Sequence, residues 1–127
     1  PATPLQWCAM AAPKEINAKL QTLRQALRKE SHIRLQHDSL KSTYLEAIFT
    51  RGDRRMSHFL LAIHRQKGHW RRAAQQSEFD WEHFVCTPLA EDTGLPWDFL
   101  ANERQLQRLH REHARALAVP DRSAVSL

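Results

Sequence analysis

Residues 45–63 read Leu45-Glu46-Ala47-Ile48-Phe49-Thr50-Arg51-Gly52-Asp53-Arg54-Arg55-Met56-Ser57-His58-Phe59-Leu60-Leu61-Ala62-Ile63, two apolar runs joined by a turn with three arginines and one aspartate. Leu45, Ile48 and Phe49 recur at helical steps, as do Met56, Phe59, Leu60 and Ile63, so the stretch predicts two amphipathic helices meeting at the turn. Thr43 and Glu46 have the spacing of a capping box for the first helix, which runs to Thr50. Gly52 offers a positive φ to stop it, and Asp53 can cap the second helix, which ends at Gly68. Three guanidinium groups this close repel one another unless Asp53, a partner or an anionic ligand neutralises them. Asp53 is expected to serve as the cap and to neutralise Arg54 or Arg55.

On the amino-terminal side, Pro13 suits the first position of a helix, and Ile16, Leu20, Leu23 and Leu27 follow at helical steps. A helix over about residues 13–30 follows, with Arg28 and Lys29 suiting its negative pole. Ile33 and Leu35 alternate with His32, Arg34 and Gln36, the pattern of a short half-buried strand. On the carboxyl-terminal side the periodicity loosens. Trp70, Phe79, Trp81 and Phe84 are spaced for short helical turns pinned by aromatics, with Asp80 as a cap. Pro88, Gly94 and Pro96 punctuate an extended segment up to Leu95-Pro96-Trp97-Asp98-Phe99-Leu100. A last helix over about 101–118 carries Leu106, Leu109, His113 and Leu117 on one side, and Pro120 stops it. The expected fold class is mainly α, in the α+β sense, with about four helices and one or two short strands.

With 127 residues, 42% hydrophobic and 26% charged, the composition fits a single globular domain with one modest core. No apolar stretch approaches the ~20 residues that cross a bilayer, and the opening residues lack a signal-peptide pattern, so a cytoplasmic home and no membrane partner are expected. Cys8 and Cys86 provide neither a disulfide framework nor a metal knuckle. A formal charge of +5 favours acidic partners. Arg65, Lys67, Trp70, Arg71 and Arg72 form the best patch for an anionic partner, where an aromatic stacks a base and guanidiniums hold phosphates, although Trp70 serves equally as a core anchor. Arg104, Arg108, Arg111 and Arg115 read as the wet stripe of the last helix. His110 and His113 share a helix face but lack a third ligand, and His113 falls on the apolar stripe as a partly buried histidine. Three glycines make no phosphate-cradling loop, and no serine sits in a nucleophile elbow.

Thr3-Pro4-Leu5-Gln6-Trp7, the Arg51-Gly52-Asp53-Arg54-Arg55 turn, Gly68-His69-Trp70-Arg71-Arg72-Ala73 and Leu95-Pro96-Trp97-Asp98-Phe99 occur in a telling order. That order resembles the carboxyl-terminal region of radical S-adenosylmethionine proteins, many of which carry an upstream domain of the cobalamin-binding type. The likeness spans roughly residues 3–100. It implies that residues 1–12 are the terminal strand and exit of an incomplete β/α barrel, 13–118 a helical carboxyl-terminal domain, and 119–127 a flexible tail. Gln6 and Trp7 would then lie near the rim of the substrate cavity. Arg51, Arg54 and Arg55, with Asp53, Trp97 and Asp98, would face the barrel or an anionic part of the substrate, Asp98 orienting an arginine.

The chain departs from the family in lacking the Cys-x-x-x-Cys-x-x-Cys loop, whose three thiolates hold a four-iron cluster and leave one iron open to S-adenosylmethionine. Alone it is therefore not expected to build the cluster or hold a cofactor. The iron–sulfur cluster, S-adenosylmethionine and any cobalamin are expected in the parent protein. Residues 85–94 look shortened, and the match fades after Phe99. The opening residues, without a leading methionine, read as the interior of a longer protein. The implied function is a structural and substrate-side segment, not catalytic alone, with the upstream barrel as its partner. The alternative is a small basic helical module that binds nucleic acid or an acidic protein.

Overall fold

The computed structural model describes residues 1–118; the tail expected at 119–127 lies outside them. The described residues contain α1 (Pro13–Ala26), α2 (Leu40–Arg51), α3 (Met56–Arg65), α4 (Trp70–Gln76), α5 (Trp81–Cys86) and α6 (Glu103–Ala118), with 3-10 turns at Leu27–Lys29 and Asp98–Leu100. The protein is mainly helical, and no strand occurs among the described residues. No helix among them is long and apolar enough to cross a membrane. The described residues divide into two compact units, one formed by Ala9–Pro88 and the other by Pro1–Cys8 together with residues 89–118.

The core of the contiguous unit is Tyr44 and Ile48 of α2, Phe59 of α3, Trp70, Ala73 and Ala74 of α4, and Val85 of α5. Burying an aliphatic or aromatic side chain of this size stabilises by about 1.5–3 kcal/mol, so these few residues outweigh any exposed ion pair in this unit. α2 packs on α5 and α3 on α4. Tyr44 donates from its hydroxyl to the carbonyl of Ala11 at 2.7 Å. The amide of Met10 donates to the Val85 carbonyl at 3.0 Å, which ties the approach to α1 onto the core. α1 begins with Pro13 at its first turn and lends partly buried Ile16 to the core, yet no residue of it is fully buried.

Several local expectations are corrected. The strand at residues 32–36 is irregular backbone with Ile33 47% exposed. Alternation alone makes no strand without a ladder partner. Thr43 does not open α2, which starts three residues earlier; its hydroxyl donates back to the Ser39 carbonyl. Leu60, expected in the core, is 53% exposed. Gly52 has φ −81°, not a positive φ. Space, not handedness, demands glycine here: a Cβ would collide with the Met56 side chain and stand 3.0 Å from the Ile48 carbonyl oxygen.

α3 and α4 end in the same way. The amide of Gly68 bonds to the carbonyl of Ile63 and that of Lys67 to His64, the paired bonds of a Schellman motif. Lys67 takes the left-handed position at φ 51°, so the stop lies one residue before the expected glycine, which follows at φ 84°. At the end of α4, Phe79 bonds to Ala74 and Glu78 to Gln75, with Glu78 at φ 52°. Asp80 caps α5 as expected, its carboxylate accepting from the His83 amide at 3.0 Å.

In the second unit the core is Trp7, Leu95 and Trp97, with Leu89 and Leu109 packed against it. Thr3–Trp7, expected as an exit strand, are turns: the Gln6 amide bonds to the Thr3 carbonyl and the Cys8 amide to Leu5. Leu89 donates its amide to the Trp7 carbonyl at 2.9 Å, which returns the chain to its beginning. α6 opens with a reciprocal cap in which the Asn102 carboxamide accepts from the Gln105 amide and Gln105 accepts from the Asn102 amide. Along α6, Leu106 and Leu109 are half-buried and His113 is buried, while Leu117, assigned to the same stripe, is exposed.

Candidate functional site

Gln6 is buried in the second unit, and its side-chain oxygen accepts two hydrogen bonds at 2.9 Å, from the Ala2 amide and from Nε1 of Trp97. Two donors on one atom establish it as the oxygen. The amide nitrogen of the same side chain is buried with no hydrogen-bond partner among the described residues. Trp97 is in turn held by its neighbours. Asp98 accepts the Leu95 amide at 2.7 Å, closing a turn around Pro96, and this is the bond found for Asp98 where an arginine was expected.

Beside Trp7 stands a group that sequence spacing only half disclosed. His110 stacks on Trp7 with ring centres 4.4 Å apart, and His113 lies against the same indole at 5.2 Å. Their spacing of three residues on α6 turns both imidazoles to one side of the helix. Each directs Nδ1 at the carboxylate of Glu91, His113 at 2.7 Å to one oxygen and His110 at 2.9 Å to the other. The hydrogen bonds from His110 and His113 hold the Glu91 carboxyl below the usual range for glutamate. The remaining nitrogen of His113, Nε2, lies 3.5 Å from the sulfur of Cys8. Glu91 and Cys8 were missed because they lie 22 and 105 residues from His113. The one available signal was His113 itself, a titratable residue on an apolar stripe. Among the described residues no group of three or more His, Cys, Asp or Glu side chains is arranged to hold a metal ion.

In the contiguous unit the three arginines of the turn divide their tasks. Arg51, half-buried, donates to the Thr87 carbonyl at 2.6 Å. Arg55 grips Asp53 through both Nε and Nη2, at 2.8 Å to the same oxygen, and its backbone amide donates to the other oxygen. The Arg55 side chain, then its amide, hold the Asp53 carboxyl below its ordinary value. Arg54 points to solvent. Gln6, Trp7, Trp97 and Asp98 thus fall in one unit, and Arg51, Asp53, Arg54 and Arg55 in the other.

Trp70 is 1% exposed, so its indole is a core anchor and offers no face for a base. It meets Trp81 edge-on, and the Arg71 guanidinium lies over both rings, at 5.3 and 5.8 Å. Arg71 and Arg72 join Lys41 and His69 around a cleft of about 280 Å³ whose lining contains no acidic residue. Arg65 and Lys67 do not line it. Lys41 could not be assigned from the sequence, since it lies on α2, far from the basic run that contains His69.

Compared with protein-family models, with curated proteins and with solved structures, the chain matches none.

Proposed function

We propose that this chain is the carboxyl-terminal, substrate-side segment of a radical S-adenosylmethionine enzyme, a helical appendage to a catalytic barrel and not a catalyst alone. The observation that carries the reading is the buried bond from Trp97 to Gln6, 91 positions apart. Two of the sequence blocks on which the resemblance rests share one small core. Around it the unit exposes Leu5, Leu100 and Leu117, with Phe99 83% exposed, apolar surface of the kind a neighbouring domain covers. Since Arg51 engages Thr87 and Arg55 engages Asp53, Arg54 is the guanidinium of the turn best placed to meet a carboxylate of the barrel or an anionic part of the substrate. Cys8 and Cys86 do not make a three-cysteine loop, so the cluster, S-adenosylmethionine and any cobalamin belong to the rest of the enzyme.

The reading frame that encodes this chain is expected to place a Cys-x-x-x-Cys-x-x-Cys loop on the amino-terminal side of Pro1. The full-length product, reconstituted with iron and sulfide, should show the visible absorption of a four-iron cluster and reduce S-adenosylmethionine. A reading frame without the loop overturns the proposal.

A second reading is favoured by the all-basic cleft of Lys41, His69, Arg71 and Arg72: a small helical module that binds nucleic acid or an acidic protein through phosphate or carboxylate contacts, without base stacking on Trp70. It predicts a salt-dependent mobility shift of labelled oligonucleotides near physiological ionic strength, lost in Arg71→Ala/Arg72→Ala. No shift argues for the first reading.

A further inference from the structure

Of the two thiols, one is hydrogen-bonded to an imidazole and the other to a backbone carbonyl. Cys8 is half-buried with its sulfur 3.5 Å from Nε2 of His113. Glu91, held as a carboxylate by its two histidine partners, can only accept hydrogen bonds, so in a neutral His113 ring the proton sits on Nδ1. The lone pair is then on Nε2, directed at the sulfur, and the thiol S–H can donate to it. His113 is 5% exposed and packed against Trp7, and Glu91 is gripped by His110 as well, so the ring has little freedom to turn away. A thiol within reach of an imidazole, which is oriented in turn by a carboxylate, is the arrangement that activates nucleophilic cysteines. Cys86 differs at each point. Its sulfur donates to the Ala11 carbonyl at 3.9 Å, and burial, then the Glu82 carboxylate, push its thiol up.

We propose that Cys8 is a nucleophilic thiol served by His113 as its base and by Glu91 as a positioning residue, and that it exchanges with low-molecular-weight disulfides of the glutathione type. In the step, the Cys8 proton passes to Nε2 of His113 as the sulfur attacks one sulfur of the disulfide. A new S–S bond forms, the old one breaks, and the departing thiolate leaves with the bond pair and takes the proton back from His113. The products are a mixed disulfide on Cys8 and one small thiol, with no further oxidant consumed. This site stands apart from the proposed role beside a catalytic barrel and does not depend on it.

The full chain, reacted with oxidised glutathione or a chromogenic aromatic disulfide at neutral pH and mapped by peptide mass, tests the proposal. Cys8 is expected to react at least about tenfold faster than Cys86, the internal reference. Cys8→Ser should remove the fast phase. His113→Gln and Glu91→Gln should slow it by about tenfold or more while the Cys86 phase stays unchanged, and Glu91→Asp should recover part of the rate. In urea the two rates of the wild-type chain should converge, a comparison that needs no variant to fold. Equal rates in the folded chain, a ratio that persists in urea, or a His113→Gln protein with an unaltered Cys8 rate would each overturn the assignment.

Discussion

Gln6 shows how much one polar side chain can decide. Its oxygen satisfies the Trp97 indole and the Ala2 amide inside a core of only Trp7, Leu95 and Trp97. Gln6→Leu leaves both donors without an acceptor, and the expected loss is about 1–3 kcal/mol, measured by urea unfolding followed through tryptophan fluorescence. Asp53 makes a prediction in pH. Its folded pKa lies below the ordinary 3.8, so its contribution is present above that value and fades as pH falls through the depressed folded pKa. The stability advantage of the wild type over Asp53→Asn should therefore be level near neutrality and disappear only in strong acid. An advantage that vanishes already near pH 6 would contradict the Arg55 pairing as its source. The pairing of Asp53 with Arg55 was legible in the sequence because opposite charges two residues apart meet readily; its expected capping of α3 is corrected, since Arg55 holds the cap position and no side chain caps the first turn. The division of the three arginines was not legible, since Thr87 lies 36 residues from Arg51.

At the scale of elements, the ends of helices carry the testable strain. Lys67 and Glu78 hold left-handed positions that side chains disfavour. Lys67→Gly and Glu78→Gly should each raise stability by about 0.5–1 kcal/mol, while Gly68→Ala, at φ 84°, should lower it by a similar amount, all read from thermal denaturation. Gly52→Ala should also destabilise, for a different reason. The added methyl meets Met56 and the Ile48 carbonyl, and a partner truncation, Met56→Ala, should soften its effect. The existence of α1, α3 and α6 and the cap at Asp80 could be read in advance, because spacing, a first-turn proline and a capping carboxylate are local signals. The start of α2 could not. Thr43 and Glu46 fit a capping box equally well inside a helix, and only the packing of Leu40 against the core, after exposed Ser39, shows where it begins.

Across the whole molecule, stability is uneven. Amides of α2 and of Ala73 to Gln76 in α4, around Tyr44, Ile48 and Trp70, should be the slowest to exchange with deuterium, and those of α1, which buries no residue completely, the fastest among the helices of that unit. Exchange that is slowest in α1 would refute the placement of the core. The mainly α class, most helix positions and the basic character were in place from the residue pattern, because helices form through contacts three and four positions apart and charge is additive. The return of residues 1–8 to the chain beyond Leu89 was not, nor was the meeting of Glu91, His110, His113 and Cys8 around Trp7. Those pairings arise when separate segments bury apolar area together, and the number of residues between two partners carries no record of that.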